Sequence, residues 1–380
     1  MGRQNAEGQP EPVGVGMVGN GFMGRAHTLG LTVASLLAPD LPPVQLLSIS
    51  GRDSNKARRS ADQYRYREAF TDWRAQIDSA GLTAVDVVLP TELHHPAALA
   101  AIRAGHAVLC EKPLAVTAAD AYEMWQTAAA ADVVHMCGFN FRFAPAVRLA
   151  HDLVASGEIG QILAFDGSFL ESLGLPEYDA DSAAVWPPPP QDGALLGLGP
   201  HILDLALWLA GEPTVVQAQS KKLNPSSAAR DDFFGGTLQF RSGAQGTIRG
   251  SRVAGGVTSE CSFTVTGTRG ALRWESPRLN ELWHITPGHR STLIEVTRPT
   301  DPFMSMWWPE PGHPISWTET FIHQAAHFLR AVAGMTTVRE SAADFEDGYR
   351  CALVIDAMAA AARSGQPTPL AWPAAGLATP

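Results

Sequence analysis

Cysteines, clustered basic residues and long apolar runs are all scarce in this chain of 380 residues. The four cysteines form no C-x-x-C pair, which argues against a disulfide framework and indicates reduced thiols. No apolar run reaches the roughly 18 residues of a membrane-spanning helix, and the polar start, MGRQNAEGQPEP, predicts no secretion signal. The net charge is −10 without any Lys/Arg run, so nucleic acid is not an expected partner. We therefore expect a cytoplasmic protein that acts on a small molecule.

The first third of the chain alternates apolar strands with helical stretches. The strand-like runs include VGVGMV, VQLLSIS, AVDVVLP and AVLCEKP. Nearly continuous apolar strands are typical of parallel sheets that are buried on both faces. We predict a flexible tail over residues 1–11, followed by an α/β dinucleotide-binding Rossmann domain with a doubly wound parallel sheet of five strands over residues 12–140.

The pattern changes after about residue 141. Runs such as GGTLQFRSGAQGTIRGSR and CSFTVTGTRGALRWE alternate as antiparallel strands do and contain glycine turns. We predict an α+β substrate domain with a large open, mostly antiparallel sheet over residues 141–380, with its final helix at about 343–364. An open sheet face of that size would be adhesive, so we expect a homodimer or homotetramer.

The stretch GNGFMG follows the first strand and opens the first helix, with glycines in the spacing G-x-G-x-x-G. In a dinucleotide site the first glycine permits the tight turn, the second lets the pyrophosphate approach the backbone, and the third lets helix and strand pack closely. A bare strand-to-helix turn is the alternative. The candidate cofactor-binding residues of this turn are Gly19, Asn20, Gly21, Phe22, Met23 and Gly24.

The end of the second strand bears on the choice between NAD(H) and NADP(H). Binders of NAD place an acidic residue there for the ribose hydroxyls, whereas this chain has Ser50, Gly51 and Arg52, with Asp53 only after the arginine. A hydroxyl and a guanidinium suit a 2′-phosphate, so the sequence favours NADP(H) over NAD(H). A solvated arginine that contacts nothing is the alternative.

Two further stretches carry groups that can move protons. CEKPLA ends a predicted parallel strand, which places Lys112 at the cofactor cleft or, alternatively, on the surface before a turn. GLGPHILDLALWLAG places His201 and Asp204 one helical turn apart. Histidine suits proton transfer near neutral pH, and Asp204 either orients its ring or caps the helix. A structural histidine is the competing interpretation.

With these motifs in order, the chain resembles the Gfo/Idh/MocA oxidoreductases, the family of glucose-fructose oxidoreductase and inositol dehydrogenase. The resemblance extends over nearly the whole chain. It is carried by GNGFMG, LPTELHHPAALAAIRAGHAVLCEKPLA, GFNFRFAPAVRLAHDLVASGEIGQI, GALLGLGPHILDLALWLAG, GTRGALRWE and FEDGYRCALVIDAMAAAARSG.

The resemblance implies roles for individual residues. Lys112 matches the lysine of the E-K-P block, and His201 matches the histidine that acts as general acid and base. The implied cofactor contacts outside the glycine turn are Pro90, His94, Glu111, Lys112 and Asn140. The candidate substrate contacts are Lys112, Arg142, Trp186, Asp192, His201 and Asp204.

One position departs from the family pattern. Many inositol-type members carry an aspartate four residues before the histidine, where this chain has Gly197. The departure argues against plain inositol dehydrogenase chemistry. It suggests a different pattern of substrate hydroxyl groups, substitution by Asp192 or another loop residue, or loss of catalysis.

Two remaining groups of residues lie outside the cofactor and proton-transfer motifs. Trp186, Trp307 and Trp308 lie in Pro- and Trp-rich loops, where their rings suit sugar faces or, equally, packing between domains or subunits. His323 and His327 are four residues apart, but the sequence places no third ligand beside them, so no metal is expected.

The resemblance implies NAD(P)-dependent hydride transfer between the nicotinamide and a secondary alcohol or ketone of a sugar, cyclitol or glycoside. Two alternatives remain open at this stage. One is a non-catalytic nucleotide-binding sensor that regulates transcription through a protein partner. The other is an enzyme that uses tightly bound NAD to cleave a glycosidic bond without net turnover of the cofactor.

Overall fold

The computed structural model describes residues 11–175, 192–225, 229–288 and 290–373. Its N-terminal sheet has six parallel strands in the order β3-β2-β1-β4-β5-β6. The strands are β1 (Val13–Val18), β2 (Val44–Ser50), β3 (Glu68–Phe70), β4 (Ala84–Val87), β5 (Ala107–Glu111) and β6 (His135–Gly138). This order confirms the doubly wound α/β fold and reverses direction between β1 and β4, where such sheets bind ligands.

Helices cover both faces of this sheet, as the alternating sequence predicts. They are α1 (Phe22–Leu37), α2 (Ser54–Tyr64), α3 (Trp73–Ile77), α4 (His94–Arg103) and α5 (Ala118–Ala130). Local chemistry sets the bounds of α2. The Asp53 side chain accepts a hydrogen bond from the Lys56 amide at the helix start, and Arg65 adopts a left-handed φ of 62° at its end.

A nine-stranded sheet forms the second part of the molecule, in the order β14-β13-β12-β11-β7-β10-β9-β8-β15. Its strands are β7 (Ile162–Glu171), β8 (Pro213–Lys221), β9 (Phe233–Phe240), β10 (Gln245–Ser251), β11 (Ser259–Gly267), β12 (Gly270–Glu275), β13 (Glu281–Thr286), β14 (Arg290–Glu295) and β15 (Thr368–Pro369). Neighbouring strands are antiparallel except for β7 and β10. The predicted open, mostly antiparallel sheet is confirmed.

Most of the remaining helices pack on this sheet. They are α6 (Pro145–Ala155), α7 (Ala194–Gly197), α8 (Gly199–Ala210), α9 (Trp317–Val332) and α10 (Phe345–Ser364). Helix α8 lies so close to β7 that a Cβ on Gly167 would stand 2.6 Å from the Ile202 side chain. Asp344 and Asp347 form a capping box at the start of α10, and Gly365 ends it with a φ of 69°.

Helix α9 packs against α1 of the N-terminal domain, although it follows the nine-stranded sheet in sequence. A Cβ on Gly30 would lie 2.6 Å from the Phe321 carbonyl oxygen, so glycine permits this close approach. Ile322 and Leu329 share a buried cluster with Met17 of β1. The chain therefore returns to the parallel sheet before it ends.

Two findings concern the residue types that the sequence has in short supply. All four cysteines are free and buried. Within the described ranges, none of the helices combines the length and apolar character that crossing a membrane requires.

Candidate active site

The carboxyl ends of β1, β4, β5 and β6 meet at one edge of the parallel sheet. The register pairs Val18 with Val87, Val87 with Cys110, and Glu111 with Gly138. Since parallel neighbours end together, the segments that follow these strands lie side by side. The glycine turn, Pro90, Lys112 and Asn140 are therefore brought to one edge.

The glycine turn has the shape that a pyrophosphate requires. Gly19 has a φ of 119°, and a Cβ there would lie 2.9 Å from the Val88 carbonyl oxygen. A Cβ on Gly24 would lie 2.6 Å from the Gly19 carbonyl oxygen, whereas one on Gly21 would meet nothing within 4 Å. No side chain caps the start of α1, so its amide groups face this open space.

The flanking residues of the turn complete this picture. Nδ2 of Asn20 is buried and has no hydrogen-bond partner among the described residues, although such a donor normally has one. Its side chain lies against Gly51, where a Cβ would come within 2.4 Å. Phe22 is exposed and stacks on Trp317 at 5.8 Å, and Met23 packs partly into the core. The open backbone and the spare amide donor fit a bound dinucleotide.

The end of β2 presents an exposed arginine to solvent. Arg52 forms no ion pair within the described part of the chain, and Ser50 is buried. The carboxylate of Asp53 is engaged at the start of α2, where it accepts the Lys56 amide at 2.7 Å. Among the described residues, the charge of Arg52 at this end of β2 is therefore unpaired.

Lys112 follows β5 directly, and its ammonium group reaches across to the second domain. Nζ donates a hydrogen bond to the Gly197 carbonyl oxygen at 3.0 Å. Burial lowers the pKa of Lys112, with a further lowering from Arg252 that opposes the raising effect of Glu111. Lysine with a lowered pKa suits proton movement and the stabilisation of a developing negative charge.

His201 lies in the first turn of α8, close to Lys112. Burial, followed by the charge of Lys112, lowers the pKa of His201 well below its usual value, so the ring is neutral near pH 7. Phe141 and Phe169 pack against the ring at 5.1 and 5.2 Å between centroids. Its buried Nδ1 has no hydrogen-bond partner among the described residues. The imidazole is available as a base, and no hydrogen bond joins it to Asp204.

A buried histidine on α1 supports the loop that carries Lys112. The His27 ring donates to Asp86 at 2.9 Å from Nδ1 and to Glu111 at 2.9 Å from Nε2. Burial lowers the pKa of His27, but the two carboxylates raise it to about 10, so the ring is an imidazolium. The other oxygen of Glu111 accepts the Lys112 amide at 3.0 Å. The sequence analysis did not identify this network.

The other predicted cofactor residues occupy the same edge with structural contacts of their own. Pro90 is exposed and begins a short 3-10 turn. The two His94 ring nitrogens lie 2.8 Å from the Pro113 and Leu89 carbonyl oxygens. Nδ2 of Asn140 donates to the Thr320 hydroxyl at 3.0 Å. These contacts fix the loops that surround the turn.

Two of the predicted substrate residues, Arg142 and Asp204, form an ion pair with each other. Arg142 donates to both carboxylate oxygens of Asp204, at 2.9 Å from Nε and 2.6 Å from Nη2. It also reaches Asp347 at 3.2 Å, and its guanidinium lies 4.9 Å from the Trp208 ring centre. Both side chains of the Arg142–Asp204 pair are almost fully buried. They join the turn after β6 to α8 and α10.

Asp192 lies at the mouth of this edge and contacts the segment after β4. It accepts a hydrogen bond from the Thr91 hydroxyl at 2.7 Å. Its charge raises the pKa of Lys112, although burial and Arg252 outweigh this effect. Trp186, the other predicted loop contact, falls outside the described residues.

Two family models match most of the chain. The model described as "Oxidoreductase family, NAD-binding Rossmann fold" matches residues 13–139, and the Gfo/Idh/MocA C-terminal domain model matches residues 147–273. The chain belongs to the Gfo/Idh/MocA oxidoreductase family. It is an enzyme that acts on CH–OH groups with a nicotinamide cofactor, and it has the NAD-binding Rossmann fold that the sequence predicts.

Individual relatives and a solved structure agree with this membership. The chain is 31% identical over 376 residues to levoglucosan dehydrogenase of Pseudarthrobacter phenanthrenivorans, with 90% of this chain and 94% of the relative covered. It is 27% identical to D-xylose 1-dehydrogenase (NADP(+)) 2 of Haloferax volcanii, with 90% and 98% covered. The structure of levoglucosan dehydrogenase in complex with NADH and levoglucosan matches with a TM-score of 0.86 and 29% identity, over 95% of this chain and all of that one.

At the position where many Gfo/Idh/MocA members have an aspartate, Gly197 lies against a guanidinium. A Cβ on Gly197 would stand 2.6 Å from Nη2 of Arg252. The Arg252 Nε lies 3.7 Å from a carboxylate oxygen of Glu171, and both side chains are largely buried. Sequence reasoning missed this pair because neither residue belongs to a motif. Both residues lie at strand ends that face Lys112, which a knowledge of the β7–β10 pairing reveals.

The tryptophans and paired histidines of the late loops have defined neighbours. Trp307 donates its indole N–H to Nε2 of His323 at 2.7 Å, and Nδ1 of His323 donates to the Phe143 carbonyl oxygen at 3.0 Å. Burial lowers the pKa of His323 to about 4. His327 donates to the Val338 carbonyl oxygen, and Trp308 is exposed. Among the described residues, no group of His, Cys, Asp or Glu is arranged to hold a metal ion.

Proposed function

We propose that this enzyme oxidises a secondary alcohol of a sugar, cyclitol or glycoside, or reduces the corresponding ketone, and that Lys112 and His201 carry the proton chemistry. The observation that supports this proposal is that Lys112 follows β5 at the carboxyl edge of the Rossmann sheet and lies close to His201. Lys112 donates a hydrogen bond to the carbonyl oxygen of Gly197, four residues before His201, and its charge lowers the pKa of the His201 ring. The similarity to levoglucosan dehydrogenase supports a sugar-like substrate.

The two residues have complementary tasks in this proposal. When bound, the nicotinamide supplies the hydride acceptor in oxidation and the donor in reduction. His201 is neutral and takes the proton of the substrate hydroxyl group, while the hydride leaves the carbon that bears this hydroxyl. Lys112 donates a hydrogen bond to the alcohol oxygen and stabilises the negative charge that develops on it. In reduction both transfers are reversed.

We infer a preference for NADP(H), held by the glycine turn and by Arg52. The exposed Arg52 and the engagement of Asp53 in capping α2 support a 2′-phosphate partner rather than a ribose diol. The relative from Haloferax volcanii is named as NADP(+)-dependent. NAD(H) is the second candidate, because the solved levoglucosan dehydrogenase is a complex with NADH.

We also propose that the open face of the nine-stranded sheet is buried between subunits of a homodimer or homotetramer. On this face, Asp166 and Ser168 of β7 adjoin Thr247 and Arg249 of β10, with exposed or half-buried side chains. Size-exclusion chromatography with light scattering is expected to give the mass of a dimer or tetramer. A monomer at micromolar concentrations would contradict the proposal.

The function is tested by mixing the purified protein with NAD⁺ or NADP⁺ and levoglucosan, D-xylose or inositol, and following the absorbance of the reduced cofactor. We expect at least one sugar to be oxidised by the wild type. His201→Asn should lower kcat by roughly 100-fold or more, because general-base catalysis contributes about that much. His95→Asn, at a partly exposed position of α4, is the matched control with unchanged kcat. Oxidation that persists equally in His201→Asn would contradict the assignment.

A further inference from the structure

Arg252 and Glu171 lie side by side at the ends of two neighbouring strands of the nine-stranded sheet. Their strands, β10 and β7, are the parallel pair of this sheet, and Ser251 is in register with Leu170. Glu171 is the last residue of β7, and Arg252 follows the last residue of β10. Parallel pairing therefore brings a cation and an anion to one sheet edge, from positions far apart in sequence.

The contact between these two side chains is incomplete. Their nearest charged atoms, Arg252 Nε and Glu171 Oε1, are 3.7 Å apart, which is too long for a hydrogen bond. Within the described residues, the buried Nε of Arg252 has no hydrogen-bond partner. A buried N–H without an acceptor destabilises a protein unless a ligand supplies one. A hydroxyl group between the two side chains would accept from Arg252 and donate to Glu171.

Gly197 connects this pair to the proposed catalytic groups. Its carbonyl oxygen accepts the hydrogen bond from Lys112, and its Cα faces the Arg252 guanidinium. A side chain at position 197 would displace that guanidinium, because a Cβ would stand 2.6 Å from Nη2. Lys112 and Arg252 thus flank the same residue, and Arg252 lies close enough for its charge to lower the pKa of Lys112.

We propose that Arg252 and Glu171 together bind one non-reacting hydroxyl group of the substrate, and that Gly197 provides the space which this arrangement needs. This assignment rests on the function proposed above and selects neutral polyhydroxy substrates that carry a hydroxyl near the one being oxidised. A carboxylate at that place on the substrate would be attracted by Arg252 but repelled by Glu171.

The test uses whichever of levoglucosan, D-xylose or inositol the wild type oxidises fastest. Arg252→Met and Glu171→Gln should each raise KM for that sugar about 10-fold or more, the loss expected for a hydrogen bond to a charged group. The double variant should lose little more than either single one, since both residues hold one hydroxyl. Affinity for NADPH and NADH, measured by fluorescence, should not change. Arg241→Met, in the turn between β9 and β10 with 63% of its side chain exposed, is the matched control.

A second variant perturbs the pair without altering either member. In Gly197→Asp the new carboxylate occupies the space beside Nη2 and binds the guanidinium, so KM should rise as it does in Arg252→Met. Arg252→Met leaves the largely buried Glu171 without its neighbouring cation, so the melting temperature should fall whether or not the pair binds substrate, and KM is the quantity that decides. A fall in melting temperature together with unchanged KM would assign the pair to stability instead.

The outcomes separate the two proposals. If the wild type oxidises a sugar and KM is the same in Arg252→Met and Glu171→Gln, the hydroxyl site is overturned and the enzymatic function stands. If the wild type instead binds a sugar acid such as gluconate more tightly than the neutral sugar, and Arg252→Met abolishes this preference, the pair belongs to a carboxylate site. If no sugar is oxidised although the dinucleotide binds, both proposals fail.

Discussion

Lys112 donates a hydrogen bond at 3.0 Å to the carbonyl oxygen of Gly197, four residues before His201. This bond ties the loop after β5 to the short helix α7, and it holds a positive charge near the imidazole. Burial is the larger cause of the lowered pKa of His201, and the charge of Lys112 is the second. The Rossmann domain thereby influences a base that the second domain carries.

Removing the charge of Lys112 should therefore raise the pKa of His201. In wild type, His201 stays neutral as the pH falls through 6.5, so the acid limb of kcat/KM lies below that pH. In Lys112→Met the limb should move to higher pH, and kcat should fall by roughly 100-fold. Histidine-labelled NMR titration measures the shift directly. An unchanged His201 titration would show that the two groups are not coupled.

The alkaline limb should follow Lys112 itself. The pKa of Lys112 is lowered, so its ammonium group loses its proton at a pH below the usual 10.5. Lys112→Arg keeps the positive charge over this range because guanidinium does not deprotonate. We expect the alkaline limb of kcat/KM to disappear in this variant, at a lower overall rate. A limb at the same pH would assign it to another group.

The cofactor preference is tested at Arg52. If its guanidinium binds the 2′-phosphate, Arg52→Ala should weaken NADPH binding by about 10-fold and leave NADH binding unchanged, since only NADPH carries that group. Fluorescence titration with both cofactors measures the two affinities. Arg67→Ala, at another exposed position of the same domain, is the control. Tighter NADH binding that the substitution does not alter would establish the NAD(H) alternative.

The sequence predicted the strands and helices that have a clear apolar pattern. Largely apolar runs identified five of the six parallel strands. The missed β3 (Glu68–Phe70) has only three residues and pairs on one side, too short for a periodic signal. β14 (Arg290–Glu295) is a largely exposed edge strand, so burial leaves no pattern in its sequence.

Some residues of the candidate site could be predicted from local motifs, and others could not. Lys112 and His201 belong to local motifs, so their positions could be read from neighbouring residues. His27, Arg252 and Glu171 could not, because their roles depend on contacts between segments distant in sequence. Asp204 shows the converse, since helical spacing placed it beside His201 whereas a buried pairing with Arg142 engages its carboxylate. Single-sequence patterns carry no information about which strand ends meet.

The His27 network should make stability depend on pH in the alkaline range. The pKa of His27 is raised to about 10 in the folded protein and is about 6.5 when unfolded, so its contribution is complete below pH 6.5 and is lost as the pH rises through 10. His27→Gln should cost about 3–5 kcal/mol near pH 6.5 because it leaves buried carboxylates uncompensated. Chemical denaturation at several pH values should show this cost shrinking towards pH 10. In His95→Gln, which alters an exposed pair with Glu123, the cost should be small at every pH.

Arg142 offers a test that separates a structural role from substrate binding. Arg142→Met leaves Asp204 buried without its partner, so we expect a loss of about 3–5 kcal/mol in the free energy of unfolding. The double variant Arg142→Met/Asp204→Leu removes the stranded charge and should recover part of that loss. Arg278→Met, which removes exposed ion pairs, should cost less than about 1 kcal/mol.

The kinetics of the double variant decide between the two roles of Arg142. Because Asp204 engages the Arg142 guanidinium on two nitrogens and Asp347 a third, few donors remain for a ligand. We therefore expect the folded double variant to keep the KM of the wild type for its sugar. A KM that rises about 10-fold although stability has recovered would instead place Arg142 on the substrate, as the sequence alone predicted.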